Sequence, residues 1–215
     1  MNMNYKICFV CTGNACRSPF AECVTKKLLA DAGIEDIEVF SLGTLDWGEN
    51  PRDVAMVDVA KELGYDLSGT TTVMTREKLM EADAVIVFEE CHRDAITRVL
   101  DYNHWSRIVL FNKMAFDEDG NVEDPHYKTA AVYRRVAQHI VNGCHRLVEQ
   151  LKLQPLKPED CMNAMIISLW LMWQTGTIDQ RDIFFQQKVG IDDREWLQMP
   201  LSYHRSKTKQ WRLRR

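Results

Sequence analysis

The sequence lacks the features that would assign it to an exported or membrane-spanning class of protein. The N-terminal stretch MNMNYKICFVC has no apolar core of the kind found in signal peptides. The longest apolar-rich run, residues 162–173, is too short to span a bilayer. The 7 cysteines are odd in number and scattered through a chain without an export signal, which is typical of reduced thiols. These absences predict a cytoplasmic protein with no membrane partner.

Metal-binding and repeat signatures are missing as well. Residues 91–93 and 139–145 mix Cys with His, but no pair of spacings is typical of a zinc site. No internal repeat or low-complexity tract interrupts the chain, and the net charge of −4 indicates nothing beyond solubility. We therefore predict no metal site.

The charge that is present divides the chain into two parts. Residues 1–154 carry 17 Lys and Arg against 24 Asp and Glu, a net charge of −7, whereas residues 155–215 carry 10 against 7, a net of +3. A short segment with two prolines separates these parts and indicates a linker. The sequence predicts a first domain over 1–152, a linker over 153–160, and a small α-helical extension with a basic tail over 161–215.

Apolar runs alternate with amphipathic segments throughout the first domain. The runs that predict buried strands are residues 6–10, 37–43, 82–88 and 107–111. The segments with helical spacing are residues 18–30, 51–64, 91–100 and 128–151, with Ser18 predicted as the N-cap of the first of them. Alternation of this kind predicts a four-stranded parallel sheet with helices on both faces, a three-layer α/β/α fold. Such sheets bind ligands at the carboxyl ends of their strands, where Cys11 would lie.

The stretch VCTGNACRSP, residues 10–19, joins the first predicted strand to the first predicted helix. Gly13 permits a tight turn, so that backbone N–H groups and the helix N-terminus converge on one point and suit a phosphate-sized anion. Arg17 can hold two anion oxygens in a bidentate fork. The same positive field favours the thiolate form of Cys11, which is then placed for attack on phosphorus.

An aryl phosphate also needs a proton on its leaving oxygen. Asp124 is the candidate general acid, since Pro125 behind it restricts its backbone. The loop after the fourth predicted strand would bring Asp124 to the same edge of the sheet as Cys11.

Three motifs, VCTGNACRSP, SLGT at 41–44 and DPHY at 124–127, together resemble the low-molecular-weight protein tyrosine phosphatases. The resemblance covers roughly residues 5–152. It implies a flavodoxin-like fold, with Cys11 as the nucleophile, Arg17 as the phosphate clamp and Asp124 as the general acid. It also implies a substrate that is a phosphotyrosine-containing protein or a small aryl phosphate, and a reaction that uses no cofactor.

Further site residues follow from the same resemblance. The residues that it assigns to the phosphate-binding loop and its hydrogen-bond network are Thr12, Gly13, Asn14, Ala15, Cys16, Ser18 and Ser41. It assigns Trp47 and Tyr127 to the aromatic walls that flank the substrate ring. Cys16 is either a partner for a reversible disulfide with Cys11 or a small loop residue. Two positions depart from the family pattern, namely Thr70 in place of a histidine and His126 in place of a tyrosine.

A related enzyme class is the main alternative. Thioredoxin-coupled arsenate reductases share this fold and a similar loop, but they need two further thiols, seven positions apart, after the third strand. Here Cys91 is alone in that segment, with Ala84 and Arg98 at the positions where a second thiol would be needed. The phosphatase reading is therefore preferred.

A second alternative is a regulator that binds phosphoproteins or DNA through its C-terminal region. Residues 181–199 have a helix, a glycine turn and a second helix, followed by basic residues. However, Gln186 stands where the two helices would need a small residue, and acidic side chains crowd the second helix. A small helical docking module fits this segment better than nucleic-acid binding does.

Overall fold

The computed structural model describes residues 5–153. Its four strands are β1 (Tyr5–Cys11), β2 (Ile37–Gly43), β3 (Ala84–Val87) and β4 (Ile108–Leu110). They form one parallel sheet in the order β2-β1-β3-β4, which confirms the predicted sheet. The predicted helical extension at 161–215 lies outside the described residues. So does the predicted linker at 153–160, apart from residue 153, which is the last residue of a helix rather than part of a linker.

The helices are α1 (Arg17–Asp31), α2 (Val54–Glu62), α3 (Arg76–Glu81), α4 (Glu90–Thr97), α5 (Phe111–Phe116) and α6 (Ala130–Leu153). Four of them match predicted segments, whereas α3 and α5 were not predicted. Each of those two has only 6 residues, which is too short for a helical period to be recognised in the sequence.

Two apolar layers enclose the sheet. Alternate side chains of β1, such as Ile7 and Phe9, pack in a cluster that contains residues of α1, α2, α5 and α6. The intervening side chains, Cys8 and Val10, pack on the opposite face with residues of α3 and α4. Because β1 is covered on both faces, it is a nearly continuous apolar run, as parallel central strands usually are.

Capping residues mark both ends of α2, although this helix begins at Val54 and not at residue 51 as predicted. The Asp53 side chain caps α2 by accepting from the backbone N–H of Met56 at 3.0 Å, and Gly64, with φ of +81°, follows its last turn as expected. In contrast, the prediction of Ser18 as N-cap was wrong, because α1 begins at Arg17 and its cap position is Cys16. The Ser18 hydroxyl bonds instead within the site described below.

The connection from β1 to α1 lies at the point where the strand order reverses. β1 is flanked by β2 on one side and by β3 on the other, so the loop after Cys11 opens at the topological switch point of the sheet. Gly43, at the end of β2, lets this loop approach closely. A Cβ atom at Gly43 would lie 3.0 Å from backbone atoms of Thr12, Gly13 and Asn14. Within residues 5–153, no helix is long and apolar enough to cross a membrane.

Candidate active site

The floor of the site is the thiol of Cys11, at the last position of β1. The residue is only 2% exposed, and its Sγ lies 3.0 Å from the Oγ of Ser18. The Ser18 hydroxyl also donates to the carbonyl of Leu42 at 3.2 Å and accepts from the amide of Asn14 at 3.0 Å. The Ser18 hydroxyl therefore fixes the position of the sulfur, and is itself held by Leu42 of β2 and by Asn14 of the loop.

Asn14 organises the loop around that hydroxyl. Its φ of +52° is in the left-handed region, which asparagine tolerates better than most residues. Its Nδ2 donates to Ser18 and, at 2.8 Å, to the Oγ of Ser41. Its Oδ1 accepts from Arg52 Nη1 at 2.8 Å and from the backbone N–H of Thr72 at 2.9 Å. The structure thus joins the predicted trio of Asn14, Ser18 and Ser41 and saturates the amide of Asn14.

The side chain of Arg17 is only 1% exposed, and it is held by partners from two distant segments. Its Nη1 donates to Glu89 Oε1 at 2.5 Å and to the carbonyl of Val122 at 3.0 Å, while its Nη2 contacts Asp124 Oδ2 at 2.8 Å. Two carboxylates compensate the burial of the guanidinium charge. Its buried Nε has no hydrogen-bond partner among residues 5–153, so this group keeps one donor for a further anion.

Asp124 is brought to this clamp by the loop between α5 and α6. Its side chain is partly exposed, and its Oδ1 accepts from the backbone N–H of His126 at 3.2 Å. Asp124 and Arg17 are far apart in the sequence, yet their charged groups are in contact in the fold. The structure therefore brings together Arg17 and Asp124, the residues predicted as phosphate clamp and general acid.

Aromatic side chains line the rim of the site. A Cβ atom at Gly13 would lie 2.9 Å from the ring of Trp47, so this glycine lets the indole pack directly on the loop. The His126 ring is centred 5.7 Å from that of Trp47 and 3.8 Å from that of Tyr127. Tyr127 is almost fully exposed and has a φ of +60°. His126, noted above as a departure from the family pattern, thus lies next to both predicted aromatic walls.

Sequence reasoning missed His92, at the start of α4, which contacts the loop. Its Nδ1 accepts from the backbone N–H of Glu89 at 3.1 Å and completes a capping box. This bond leaves the ring proton on Nε2, which then donates to Thr12 Oγ1 at 2.9 Å. Burial, with a smaller contribution from the charge of Arg17, lowers the pKa of His92 from 6.5 to about 4. The imidazole is therefore neutral near pH 7.

Glu89, Arg52 and Glu22 were missed too. Glu89 holds Arg17, Arg52 holds Asn14, and Glu22 accepts from the Ser41 hydroxyl at 2.6 Å. None of the three lies within a recognisable motif. Their connection with the loop depends on strand order and helix packing, which local sequence patterns do not encode.

The thiols do not favour the reductase alternative. Cys91 is exposed on α4, Ala84 is buried at the start of β3, and Arg98 follows the end of α4, so no second thiol stands at the partner positions. Cys8 and Cys144 are fully buried. Cys23 is half-buried beside the carbonyl of Asp66 and packs against the larger apolar cluster. Thr70, the other position that departs from the family pattern, is exposed and forms an isolated antiparallel β-bridge with Pro51.

Comparison with known proteins places these features in context. The sequence model of the family "low molecular weight phosphotyrosine protein phosphatase" matches residues 6–156. A phosphatase of that name from Drosophila melanogaster is 26% identical over 155 residues, covering 70% of this chain and 94% of the relative. A low molecular weight protein-tyrosine-phosphatase from Streptomyces coelicolor is 32% identical over 134 residues, covering 58% of this chain and 80% of the relative. A protein-arginine-phosphatase from Geobacillus stearothermophilus is 28% identical over 152 residues, covering 71% and 99%.

Solved structures agree with this similarity. A low molecular weight phosphotyrosine phosphatase from Vibrio cholerae O395 superposes with a TM-score of 0.67 at 25% identity, covering 71% of this chain and 100% of the other. A low molecular weight protein tyrosine phosphatase from T. tengcongensis superposes with a TM-score of 0.63 at 29% identity, covering 69% and 100%.

Proposed function

Because the chain belongs to the low molecular weight phosphotyrosine protein phosphatase family, whose members are cysteine-dependent hydrolases, we propose how its own residues carry out the reaction. A phosphocysteine mechanism is typical of this family. The observation that carries the proposal is the single cluster formed by the buried thiol of Cys11, the buried guanidinium of Arg17 and the carboxylate of Asp124.

In the first step, the Cys11 thiolate attacks phosphorus. The S–P bond forms as the bond between phosphorus and the leaving oxygen breaks. Asp124, which takes up a proton from solvent when it leaves Arg17, gives that proton to the leaving oxygen. The hydroxyl of Ser18, 3.0 Å from the sulfur, turns its one proton from the Leu42 carbonyl to the thiolate before attack. In the second step, water attacks the phosphocysteine while Asp124 takes a proton from it. The S–P bond breaks, inorganic phosphate leaves and the thiolate is restored.

Electrostatic stabilisation comes from Arg17 and the loop backbone, so no cofactor is needed. The unpartnered Nε of Arg17 supports this role, because it is a buried donor of a charged group next to the loop. In the resting arrangement, Asp124 contacts Arg17 Nη2 at 2.8 Å. An incoming phosphoryl dianion competes for that donor, which frees the Asp124 side chain to turn toward the leaving oxygen.

The substrates are phosphoproteins, as the family implies. Phosphotyrosine is the proposed side chain, and Trp47 and Tyr127 at the rim support it, since rings on both sides of an aryl phosphate supply binding energy away from phosphorus. Phosphoarginine is the second candidate, because one relative is named as a protein-arginine-phosphatase, and its alignment with this chain covers 99% of its length. Parallel assays with phosphotyrosine and phosphoarginine peptides distinguish the two.

Two expectations about the rest of the molecule stay predictions. The first is the cytoplasmic location expected above. Binding of nucleic acid through the basic C-terminus is the less favoured role for residues that lie outside the described part of the chain.

The first test compares aryl phosphate hydrolysis by the wild type, Cys11→Ser and Asp124→Asn, with a chelator present throughout. We expect Cys11→Ser to lose activity, and Asp124→Asn to lose about 10²- to 10⁴-fold in kcat, the usual contribution of a general acid. Asp119→Asn, which removes an exposed carboxylate from the same loop, is the matched control and keeps wild-type activity. Full activity in Cys11→Ser would rule out the phosphocysteine route, and thiol-dependent arsenate turnover without hydrolysis would favour the reductase alternative.

A further inference from the structure

Three side chains from separate segments meet beside the phosphate loop, and the reaction proposed above uses none of them. They are Cys16, at the end of the loop, Asp53, before α2, and His126, after the Asp-Pro pair. Their ligand atoms, one from each side chain, all lie within 4.8 Å of one another. Cys16 is 5% exposed, and the His126 side chain opens the group toward solvent.

We propose that Cys16, Asp53 and His126 form a binding site for a borderline-soft divalent cation of the Zn²⁺ class, and that its occupation reversibly inhibits the phosphatase. The regulatory part of this inference rests on the function proposed above, whereas the binding part does not.

The donor set determines the metal class. One sulfur, one imidazole nitrogen and one carboxylate oxygen are typical zinc ligands, and hard cations such as Mg²⁺ do not favour sulfur. Three protein ligands also leave a fourth tetrahedral position for water. Loss of the thiol proton to solvent as the metal–sulfur bond forms leaves a thiolate, a carboxylate and a neutral imidazole around the dication. The resulting complex has no net charge, and its burial is therefore tolerated.

The distance between the ligand atoms of His126 and Asp53 requires little rearrangement. His126 Nδ1 and Asp53 Oδ2 are 3.0 Å apart. Two ligands at zinc bond lengths of about 2.0–2.2 Å in tetrahedral geometry are separated by about 3.3–3.5 Å. A metal between them thus replaces one hydrogen bond by two coordination bonds after a shift of a few tenths of an ångström.

The surroundings of Asp53 already orient it as a ligand. Its Oδ1 accepts from the backbone N–H of Met56 at 3.0 Å, and its Oδ2 accepts from the hydroxyl of Tyr133 at 3.1 Å. Outer partners of this kind fix metal-binding carboxylates in known sites.

The other Cys-His-acid group in the described part of the chain is less suitable. Glu89, Cys91 and His92 also place ligand atoms within 4.8 Å of one another. However, His92 Nδ1 already accepts from the backbone N–H of Glu89, and His92 Nε2 donates to Thr12 Oγ1. Glu89 Oε1 is paired with Arg17. Binding a metal there would dismantle the clamp on Arg17 and the cap of α4.

Inhibition follows from what the three ligands connect. Cys16 directly precedes Arg17, and the backbone N–H of His126 donates to Asp124 Oδ1 at 3.2 Å. A metal bound to both side chains ties the loop that carries Asp124 to the phosphate loop. Because Asp124 has to leave Arg17 to reach the leaving oxygen, such a tether lowers kcat.

The binding test uses Co²⁺ as a spectroscopic probe and Zn²⁺ as its competitor. The full-length chain with Cys11→Ser is titrated under anaerobic conditions, so that the catalytic thiolate cannot contribute to the signal. We expect a thiolate-to-cobalt charge-transfer band that Zn²⁺ displaces. The band disappears when Cys16→Ser is added, and the midpoint of the titration rises more than about tenfold with His126→Phe, since even outer partners of ligands contribute 10–100-fold to affinity.

Cys91→Ser and Cys161→Ser, each made in the Cys11→Ser chain, are the controls and leave the band unchanged. Absence of the band in the Cys11→Ser chain overturns the binding proposal. A band that survives Cys16→Ser, or a midpoint that His126→Phe does not move, overturns it too.

The inhibition test measures aryl phosphate hydrolysis against buffered Zn²⁺ in chains that retain Cys11. We expect the inhibitory Zn²⁺ concentration to rise more than about tenfold in His126→Phe, with each protein referred to its own rate in chelator. Equal inhibition of the two proteins would mean that Zn²⁺ acts on Cys11, and the regulatory proposal would be wrong. A wild type that is inactive in chelator but binds Co²⁺ as described would instead refute the proposed reaction and leave the binding site standing.

Discussion

At the scale of single residues, His92 links α4 to the phosphate loop while remaining uncharged. Its Nδ1 caps α4 and its Nε2 holds Thr12, so both ring nitrogens are used and the tautomer is fixed. A proton added to Nδ1 would break the cap and place a cation near Arg17. Protonation of His92 therefore costs free energy in the folded protein, and the lowered pKa of about 4 reflects that cost.

This constraint predicts how stability depends on pH. The unfolded chain binds a proton on His92 below about pH 6.5 and the folded chain only below about pH 4, so the free energy of unfolding falls as the pH drops through this window. Between about pH 7 and about pH 5 the loss from this group is about 2 kcal/mol. We expect urea unfolding of His92→Asn to show a correspondingly smaller decrease over the same interval.

At about pH 7 the same variant should be less stable than the wild type by about 1–2 kcal/mol, because it loses the cap and the bond to Thr12. His145→Asn, which changes an exposed histidine on α6, serves as the control and keeps the pH dependence of the wild type. An identical pH dependence in His92→Asn and the wild type would show that His92 titrates normally in the folded protein.

At the scale of elements, the contact between α5 and α6 depends on a glycine within a helix. A Cβ atom at Gly143 would lie 2.4 Å from the ring of Phe111 and 3.1 Å from the Cβ of Ala115. The ring of Phe111 is itself fully buried and stacked against Phe88, 5.1 Å away between centroids. The short helix α5 is therefore packed against α6 without room for one more methyl group.

Gly143→Ala should accordingly destabilise the protein, although alanine is the better helix former. Overpacking costs about 1–3 kcal/mol, whereas the gain in helix propensity is at most about 1 kcal/mol. We expect a net loss of about 1–2 kcal/mol in urea unfolding. His145→Ala, at an exposed position of the same helix, changes stability by less than about 0.5 kcal/mol. A Gly143→Ala protein as stable as the wild type would mean that α5 can move away from α6.

At the scale of the whole molecule, the family match covers only part of the chain. It spans residues 6–156, and an alignment over 70% of this chain covers 94% of the Drosophila phosphatase. The residues after 156 carry the net positive charge calculated above, and the four strands and six α-helices given above lie within 5–153.

We therefore expect a chain ending at residue 156 to fold and to keep the kcat of the full-length enzyme on a small aryl phosphate. The measurement is hydrolysis rate together with the thermal midpoint, with the full-length chain as the reference. An insoluble or inactive fragment would show that the extension is part of the fold, and a changed rate on phosphoproteins alone would assign it to substrate selection.

Much of the fold and the central part of the site could be predicted because they depend on local patterns. Each strand is a short apolar run, and β2 was placed at its observed bounds because turn residues border it. Cys11, Arg17 and Asp124 lie in short motifs whose chemistry is recognisable from residue type and spacing. The sequence by itself therefore determined the parallel sheet and the family, and it predicted the residues of the phosphate loop.

The tertiary structure decided which distant side chains meet. Glu89 reaches Arg17, and His92 reaches Thr12, only because β3 lies beside β1 in the sheet. The sequence predicted no metal site, since zinc signatures are recognised from close spacing, whereas Cys16, Asp53 and His126 come from three segments far apart along the chain. Contacts of this kind depend on strand order and helix packing, and a local sequence pattern specifies neither.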